Sequence, residues 1–361
     1  MTVVLLAFAF TVVLVGLRFL VRISQKNTGR VPKVRENQRQ DAGYVQVLKG
    51  FNWSEAEPLK FRNFKPVYFI TMGVRSADPS ELITIDQNYL ARIQTRQQTM
   101  QDHAGKVLGC LPSGAAAVQE IYTYLLTDYL PSRYPSMFVK DEKKFLNLVT
   151  NVSLPLQPPS DPIEALKLLG ETVEDDMFLL QQEPEGHRSI AALCTSPSGF
   201  DPSEKLGKLL KDIHTPVPAY DKIGPSMERY FSRVAVGKNA VRTNWSITAS
   251  PALLNLATNH VKDGDVVEED IQVDISQARL RVELQTLSRL PKTRALLFSF
   301  KTYIYPLEDI KSEGLGSRLA DAIEGLDTGN ADGMWTYKGG VRWGKSVCIY
   351  LRSQTTPSGF N

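Results

Sequence analysis

Cysteine and histidine are scarce: the 361 residues hold three cysteines and four histidines. Cys110, Cys194 and Cys348 stand too far apart for a zinc knuckle or an iron–sulfur cluster. An odd, sparse set also does not build a disulfide-stapled secreted domain, so a reduced compartment is expected. Charge does not lean far either way. A net charge of +3, with no basic stripe interleaved with aromatics in the body, points away from nucleic acid as a partner. There is no G-x-S-x-G elbow, no H-E-x-x-H, no Walker loop and no G-x-G-x-x-G after a strand, so the familiar hydrolase, zincin, P-loop and dinucleotide-binding routes are missing. What remains is an ordinary globular composition, long enough for one large domain or two modest ones.

The N-terminus departs from that composition. Thr2 to Leu17 carries no charge, and Phe19, Leu20 and Val21 extend the apolar run past Arg18 to the length of a membrane-spanning helix. No basic n-region precedes it and no Ala-x-Ala site closes it, which favours an uncleaved anchor over a signal peptide. Arg22, Lys26, Arg30, Lys33, Arg35 and Arg39 follow, and positive charge after the span places the body on the cytosolic side. The expected organisation is a transmembrane anchor over 1–21, a basic polar linker over 22–50 and a folded body over 51–355. The expected setting is a single-pass membrane protein in contact with lipid, with the endoplasmic reticulum as its membrane.

In the body, Lys65–Gly73 reads as a β-rich run. Leu82, Ile85, Tyr89 and Ile93 recur at helical spacing, with Arg92 and Arg96 on the flank. Gln119–Tyr129 and Ser226–Ser232 read as helices. A further helix opens at Asp161-Pro162, an N-cap followed by proline, and runs to Asp175–Phe178, so that the carboxylate run Glu174-Asp175-Asp176 either binds a cation or, as its members point in different directions on a helix, forms the favoured solvated face. Leu280, Val282 and Leu284 alternate with Arg281, Glu283 and Gln285, the period of a half-buried strand; a turn at Leu290–Thr293 leads into a second strand over 295–305. The fold class is α+β: a curved antiparallel sheet with helices packed on it.

The candidate chemistry centres on Lys211-Asp212-Ile213-His214-Thr215-Pro216-Val217-Pro218. Leu206, Leu209, Leu210 and Ile213 space an amphipathic helix that delivers His214 at its last turn, and the two prolines forbid continuation. Locally, this histidine either caps helix carbonyls or serves as an axial metal or heme ligand. His103, His187 and His260 lack partner spacing and read as surface or core residues. Arg242-Thr243-Asn244-Trp245 gathers a planar cation, an amide and an indole. The polar face Arg281, Glu283, Gln285 is either an ion-paired open face of the sheet or the wall of a ligand cavity in which arginine forks grip carboxylates.

Taken in order, Lys65–Gly73, Ile85–Tyr89, Leu130–Pro135, Glu174–Asp176, Ile213–Pro218, Arg242–Trp245 and Arg281–Pro291 resemble the heme-dependent oxidative N-demethylase alpha-subunit family, whose fungal members are called HRQ-family proteins. The resemblance covers about residues 60–350. It implies a PAS-like domain holding heme b, with His214 at the I-H-x-P-V-P position as proximal iron ligand and Arg242, Asn244, Arg281, Glu283, Gln285 and Arg289 around the heme and its propionates. It also implies oxygen-dependent demethylation of a small amine, or oxidation of another small metabolite, with O2 as co-substrate and electrons from a separate reductase. Leu284 and Ser288 stand where basic residues are expected in the motif, so the propionate contacts are expected to differ. The competing readings are a heme-binding sensor and a non-catalytic PAS-like binding protein.

Overall fold

A computed structural model describes residues 44–261, 264–268 and 273–354. The expected anchor over 1–21 and most of the linker lie outside the described residues. Among the described residues, no helix is long and apolar enough to cross a membrane. The packed body reaches back before residue 51: Val45 and Leu48 sit against the core, and Leu48 N–H donates to the Arg133 carbonyl at 2.9 Å.

The centre is a seven-stranded antiparallel sheet. Its strands are β1 (Arg75–Ala77), β2 (Leu108–Cys110), β6 (Asp176–Glu183), β7 (Gly186–Leu193), β8 (Asn239–Thr248), β9 (Arg279–Arg289) and β10 (Leu296–Pro306), in the order β1-β8-β9-β10-β6-β7-β2. A small second sheet joins β3 (Phe138–Lys140), β4 (Lys144–Asn147) and β5 (Val152–Pro155). The hairpin expected over 280–305 is present as β9 and β10, with Leu296 opposite Arg289 and Tyr305 opposite Leu280. Side chains alternate across a strand, so each strand feeds two layers. Leu280 and Val282 face a core with Leu319, Ile323, Trp343 and Val347 from the helices Gly316–Glu324 and Gly340–Arg352. Leu179 and Leu297 face a core built on the helices Tyr89–Val107, Ala115–Thr123 and Pro162–Gly170. The odd-numbered side chains of β9 point to the other face of the sheet, where Phe178, Leu180, Leu287 and Phe300 meet Met227 and Phe231 of the helix Gly224–Arg233. The expectation of a curved antiparallel sheet with packed helices is met.

Several local expectations are corrected. Lys65–Gly73 is not a strand; the first strand begins at Arg75. The helix expected from Leu82 starts only at Tyr89, and the one from Asp161 stops at Gly170. Asp161 does cap it, accepting from Ile163 N–H at 2.9 Å. The helix leading to His214 is only Leu210–Ile213, because Gly207 sits at φ +79, outside helical space. Gln119–Tyr129 is helical, as expected, but its second half is a π-helix over Tyr124–Tyr129.

The acidic run Glu174-Asp175-Asp176 is not a solvated helix face. All three side chains are buried just before and at the start of β6. Arg96 is buried beside them rather than on a flank: it bonds Asp176 Oδ1 at 2.6 Å and the backbone carbonyls of Gly170, Glu174 and Asp175. Lys301 of β10 bridges Asp86 at 2.7 Å and Glu174 at 2.8 Å. Burial of charges without such partners costs several kcal/mol each, on the order of 3–5, so these cations are what permit the acidic run to enter the core.

Candidate functional site

On the sheet face that carries Phe178 and Phe300 lies a cavity of about 280 Å³. Its floor follows the two-residue period of four neighbouring strands: Ala240, Arg242 and Asn244 of β8, and Glu283, Gln285 and Leu287 of β9, continued by Phe298 and Phe300 of β10 and Phe178 and Leu180 of β6. Cross-strand register makes these residues direct neighbours, with Arg242 opposite Gln285 and Asn244 opposite Glu283. The roof comes from the segment 198–231, including Phe200, His214, Met227 and Phe231. Flexible Met72 and Met227 sit in the wall, where an unbranched thioether adapts its shape to an occupant. The volume lies just below the usual range of cofactor and ligand sites, roughly 300–1,000 Å³.

His214 caps the four-residue helix Leu210–Ile213. Its Nδ1 lies 2.8 Å from the Leu210 carbonyl oxygen. A carbonyl can only accept, so Nδ1 carries the proton and Nε2 keeps its lone pair. Tyr220 stacks flat on the ring, 4.8 Å between centroids and 2° between planes, which fixes the imidazole's orientation. Burial holds the histidine's pKa below its ordinary value, with Lys205 and Arg242 acting in the same direction. The ring is therefore neutral, the form that ligates iron. Among the described residues, Nε2 has no hydrogen-bond partner.

The polar floor is a connected group. Glu283 Oε2 accepts from Gln285 Nε2 at 2.9 Å and, weakly, from Asn244 Nδ2 at 3.4 Å. Asn244 Oδ1 in turn accepts from Lys338 Nζ at 3.3 Å. Arg242 behaves differently: its Nε is buried and has no hydrogen-bond partner among the described residues. An arginine aimed into a cavity without a protein acceptor is prepared for an anion, because an unpaired buried donor costs about 1–3 kcal/mol that a bound carboxylate removes.

The seven sequence candidates thus divide. His214, Arg242, Asn244, Glu283 and Gln285 line the cavity together. Arg281 and Arg289 share the strand face but lie beyond it. Arg281 is 1% exposed and donates to the carbonyls of Ser196 at 2.5 Å and Leu253 at 3.0 Å. Arg289 donates to the carbonyls of Val234, Arg294 and Phe231. Both arginines hold backbone segments rather than ligand, because the fold turns loops over the two ends of β9.

Other lining residues escaped sequence reasoning. Tyr68, Lys205, Tyr337 and Lys338 line the cavity, and so does His260, which its sequence context marks only as a surface or core residue. His260 stacks on Tyr337 at 4.5 Å. Gly199, at φ +79, packs so closely on it that an added Cβ would lie 2.7 Å from the imidazole Nδ1. His187 is a core residue as expected, with Nδ1 2.6 Å from Glu228. His103 is exposed on its helix.

A heme requires one axial nitrogen, cations for two propionates and apolar walls. His214 offers the first and the five lining phenylalanines the last. Among the described lining residues the ionisable Lys205 and Arg242 offer two cations, one for each propionate, and Glu283 is the lone carboxylate. The residues present fit the group.

The family model for haem-dependent oxidative N-demethylase, alpha subunit-like proteins matches residues 73–348, a span that runs from the residue pair before β1 to the last helix and includes the complete seven-stranded sheet. A match over most of the chain, on a cavity that fits heme, places the protein: it belongs to the haem-dependent oxidative N-demethylase alpha subunit-like family.

Proposed function

We propose that this chain is a membrane-anchored monooxygenase that binds heme b in a PAS-like body and removes an N-methyl group, or oxidises another small metabolite. The observation that carries the reading is His214: Nδ1 is tied to the Leu210 carbonyl and Nε2 stays open in a cavity that also holds the unpartnered Arg242. When bound, the heme supplies oxygen activation and electron transfer.

The chain's own residues do the rest. The Leu210 carbonyl and the Tyr220 ring keep the His214 lone pair directed, as an outer partner does for most metal-bound imidazoles. Arg242 and Lys205 supply charge for the propionates. Glu283 also gives the cavity its one carboxylate. Its Oε1 accepts no hydrogen bond from the described residues, which leaves it to orient an amine N–H. Phe178, Phe200, Phe298 and Phe300 keep the reacting methyl out of water. The balanced reaction takes an N-methyl amine, O2, two electrons and two protons to the demethylated amine, formaldehyde and water. With no flavin or iron–sulfur motif in the sequence, the electrons come from a separate reductase. The apolar stretch 2–21, interrupted by Arg18, and the basic residues after it support a membrane anchor with a cytosolic body.

The test is turnover by the heme-loaded protein with a reductase, NADPH and a panel of N-methyl amines. Formaldehyde and demethylated amine formed one to one are the expected result. A heme-loaded protein that binds amines and consumes no NADPH with any of them would leave the sensor reading in place instead.

A further inference from the structure

Lys338 is buried, 4% exposed, at the end of the short helix Met334–Tyr337, yet its side chain lines the cavity. No carboxylate of the described residues lies within ion-pair distance of its amine. Nζ instead donates to two neutral oxygens, the Trp245 carbonyl at 2.6 Å and Asn244 Oδ1 at 3.3 Å. The Tyr68 and Trp245 rings stand 5.6 and 5.5 Å from it. Two acceptors satisfy two N–H groups, the full complement of a neutral amine, so the lone pair can be directed at the cavity. A desolvated lysine beside a second cation, here Arg242, is the environment in which amines become nucleophiles at neutral pH.

We propose that Lys338 is a carbonyl-reactive amine that captures small aldehydes formed in or entering the cavity as a reversible imine. The Nζ lone pair forms a bond to the aldehyde carbon, and the carbonyl π pair moves to oxygen, which takes up a proton as nitrogen gives one up. Loss of water from the resulting carbinolamine then leaves the C=N bond; hydrolysis returns lysine and aldehyde. No oxidant or reductant is consumed. Burial supports this by pulling the pKa down to about 8, with Arg242 adding to the effect and Glu283 opposing it. The in vivo source of aldehyde rests on the demethylase reading, since demethylation releases formaldehyde in the same cavity; the reactivity of Lys338 does not.

The experiment treats the purified full-length, heme-loaded protein with limiting formaldehyde and sodium cyanoborohydride at pH 7 and maps methylated lysines by peptide mass. At that pH an amine with a pKa near 8 has about two hundred times the neutral fraction of one near 10.4. Allowing for its lower intrinsic nucleophilicity and narrow access, Lys338 is expected to label at least ~10-fold faster than the exposed Lys208 and Lys211. Lys338→Arg keeps the charge, should keep the heme spectrum and should remove the fast label. Labelling of Lys338 no faster than Lys208 and Lys211 overturns the proposal. So does fast labelling that appears only after heme removal, which would make Lys338 a propionate partner. Because formaldehyde is added, these outcomes are independent of whether amines are demethylated.

Discussion

Asp175 is the residue whose replacement is expected to strengthen the protein. Its side chain is 4% exposed, Oδ2 has no hydrogen-bond partner among the described residues, and Glu174 and Asp176 flank it. Burial is the main cause that lifts its pKa from the ordinary 3.8 to about 7; Glu174 and Asp176 push the same way, against Lys301 and Arg96. The unfolded chain ionises this carboxyl near pH 4, whereas the folded chain keeps it protonated to about 7. The stability it allows is therefore complete below pH 4 and declines as pH rises to about 7. Three pH units correspond to about 4 kcal/mol at ~1.4 kcal/mol per tenfold, an upper bound because neighbouring cations re-pair when the group ionises. Asp175→Asn removes the titration and the charge while keeping the size of the side chain. It should stabilise by about 1–3 kcal/mol at pH 8 and be close to neutral at pH 4. Urea unfolding at the two pH values measures the difference. A variant that is destabilised at pH 8, or whose effect is the same at both pH values, refutes the reasoning.

Two arginines of similar appearance in the sequence should separate cleanly. Arg242→Ala should leave urea stability within about 1 kcal/mol of wild type, because this guanidinium makes no hydrogen bond to the described residues, yet weaken heme binding about 10- to 100-fold in a heme titration. Arg281→Met strips donors from the Ser196 and Leu253 carbonyls and should cost about 2–4 kcal/mol in urea unfolding, with the Soret maximum of the folded fraction unmoved.

The hairpin β9–β10 could be read from sequence because alternation of Leu280, Val282 and Leu284 with charged neighbours reports a local, two-residue period. The pattern also separated the two faces of β9, and the cavity face is the polar one. What it could not report is how far along that face the cavity extends, so Arg281 and Arg289 looked equivalent to Glu283 and Gln285. Glu174–Asp176 failed for a related reason. A carboxylate run is ordinarily solvated, and the partners that carry it into the core, Arg96 and Lys301, come from a helix and a strand far away in the chain. His260 and Lys338 lie outside any periodic segment, and only the packing of Gly199, Tyr337 and Trp245 brings them to the cavity. One signal for Lys338 was available: a single lysine set among Trp335, Tyr337, Gly339 and Gly340 is poorly placed for solvent. The helix before His214 is shorter than its leucine spacing implies because Gly207 lies outside helical space, whereas the histidine's position before Pro216 and Pro218 is plain in the sequence.

The central claim is that His214 binds the heme iron through Nε2. The direct measurement is the absorption spectrum of the purified protein and of His214→Gly, each supplemented with heme and then with free imidazole. A Soret band typical of histidine ligation in the wild type, altered in His214→Gly and restored by imidazole entering the vacated space, is the predicted result. A His214→Gly spectrum identical to that of the wild type before imidazole is added, or no Soret band in either protein, contradicts it.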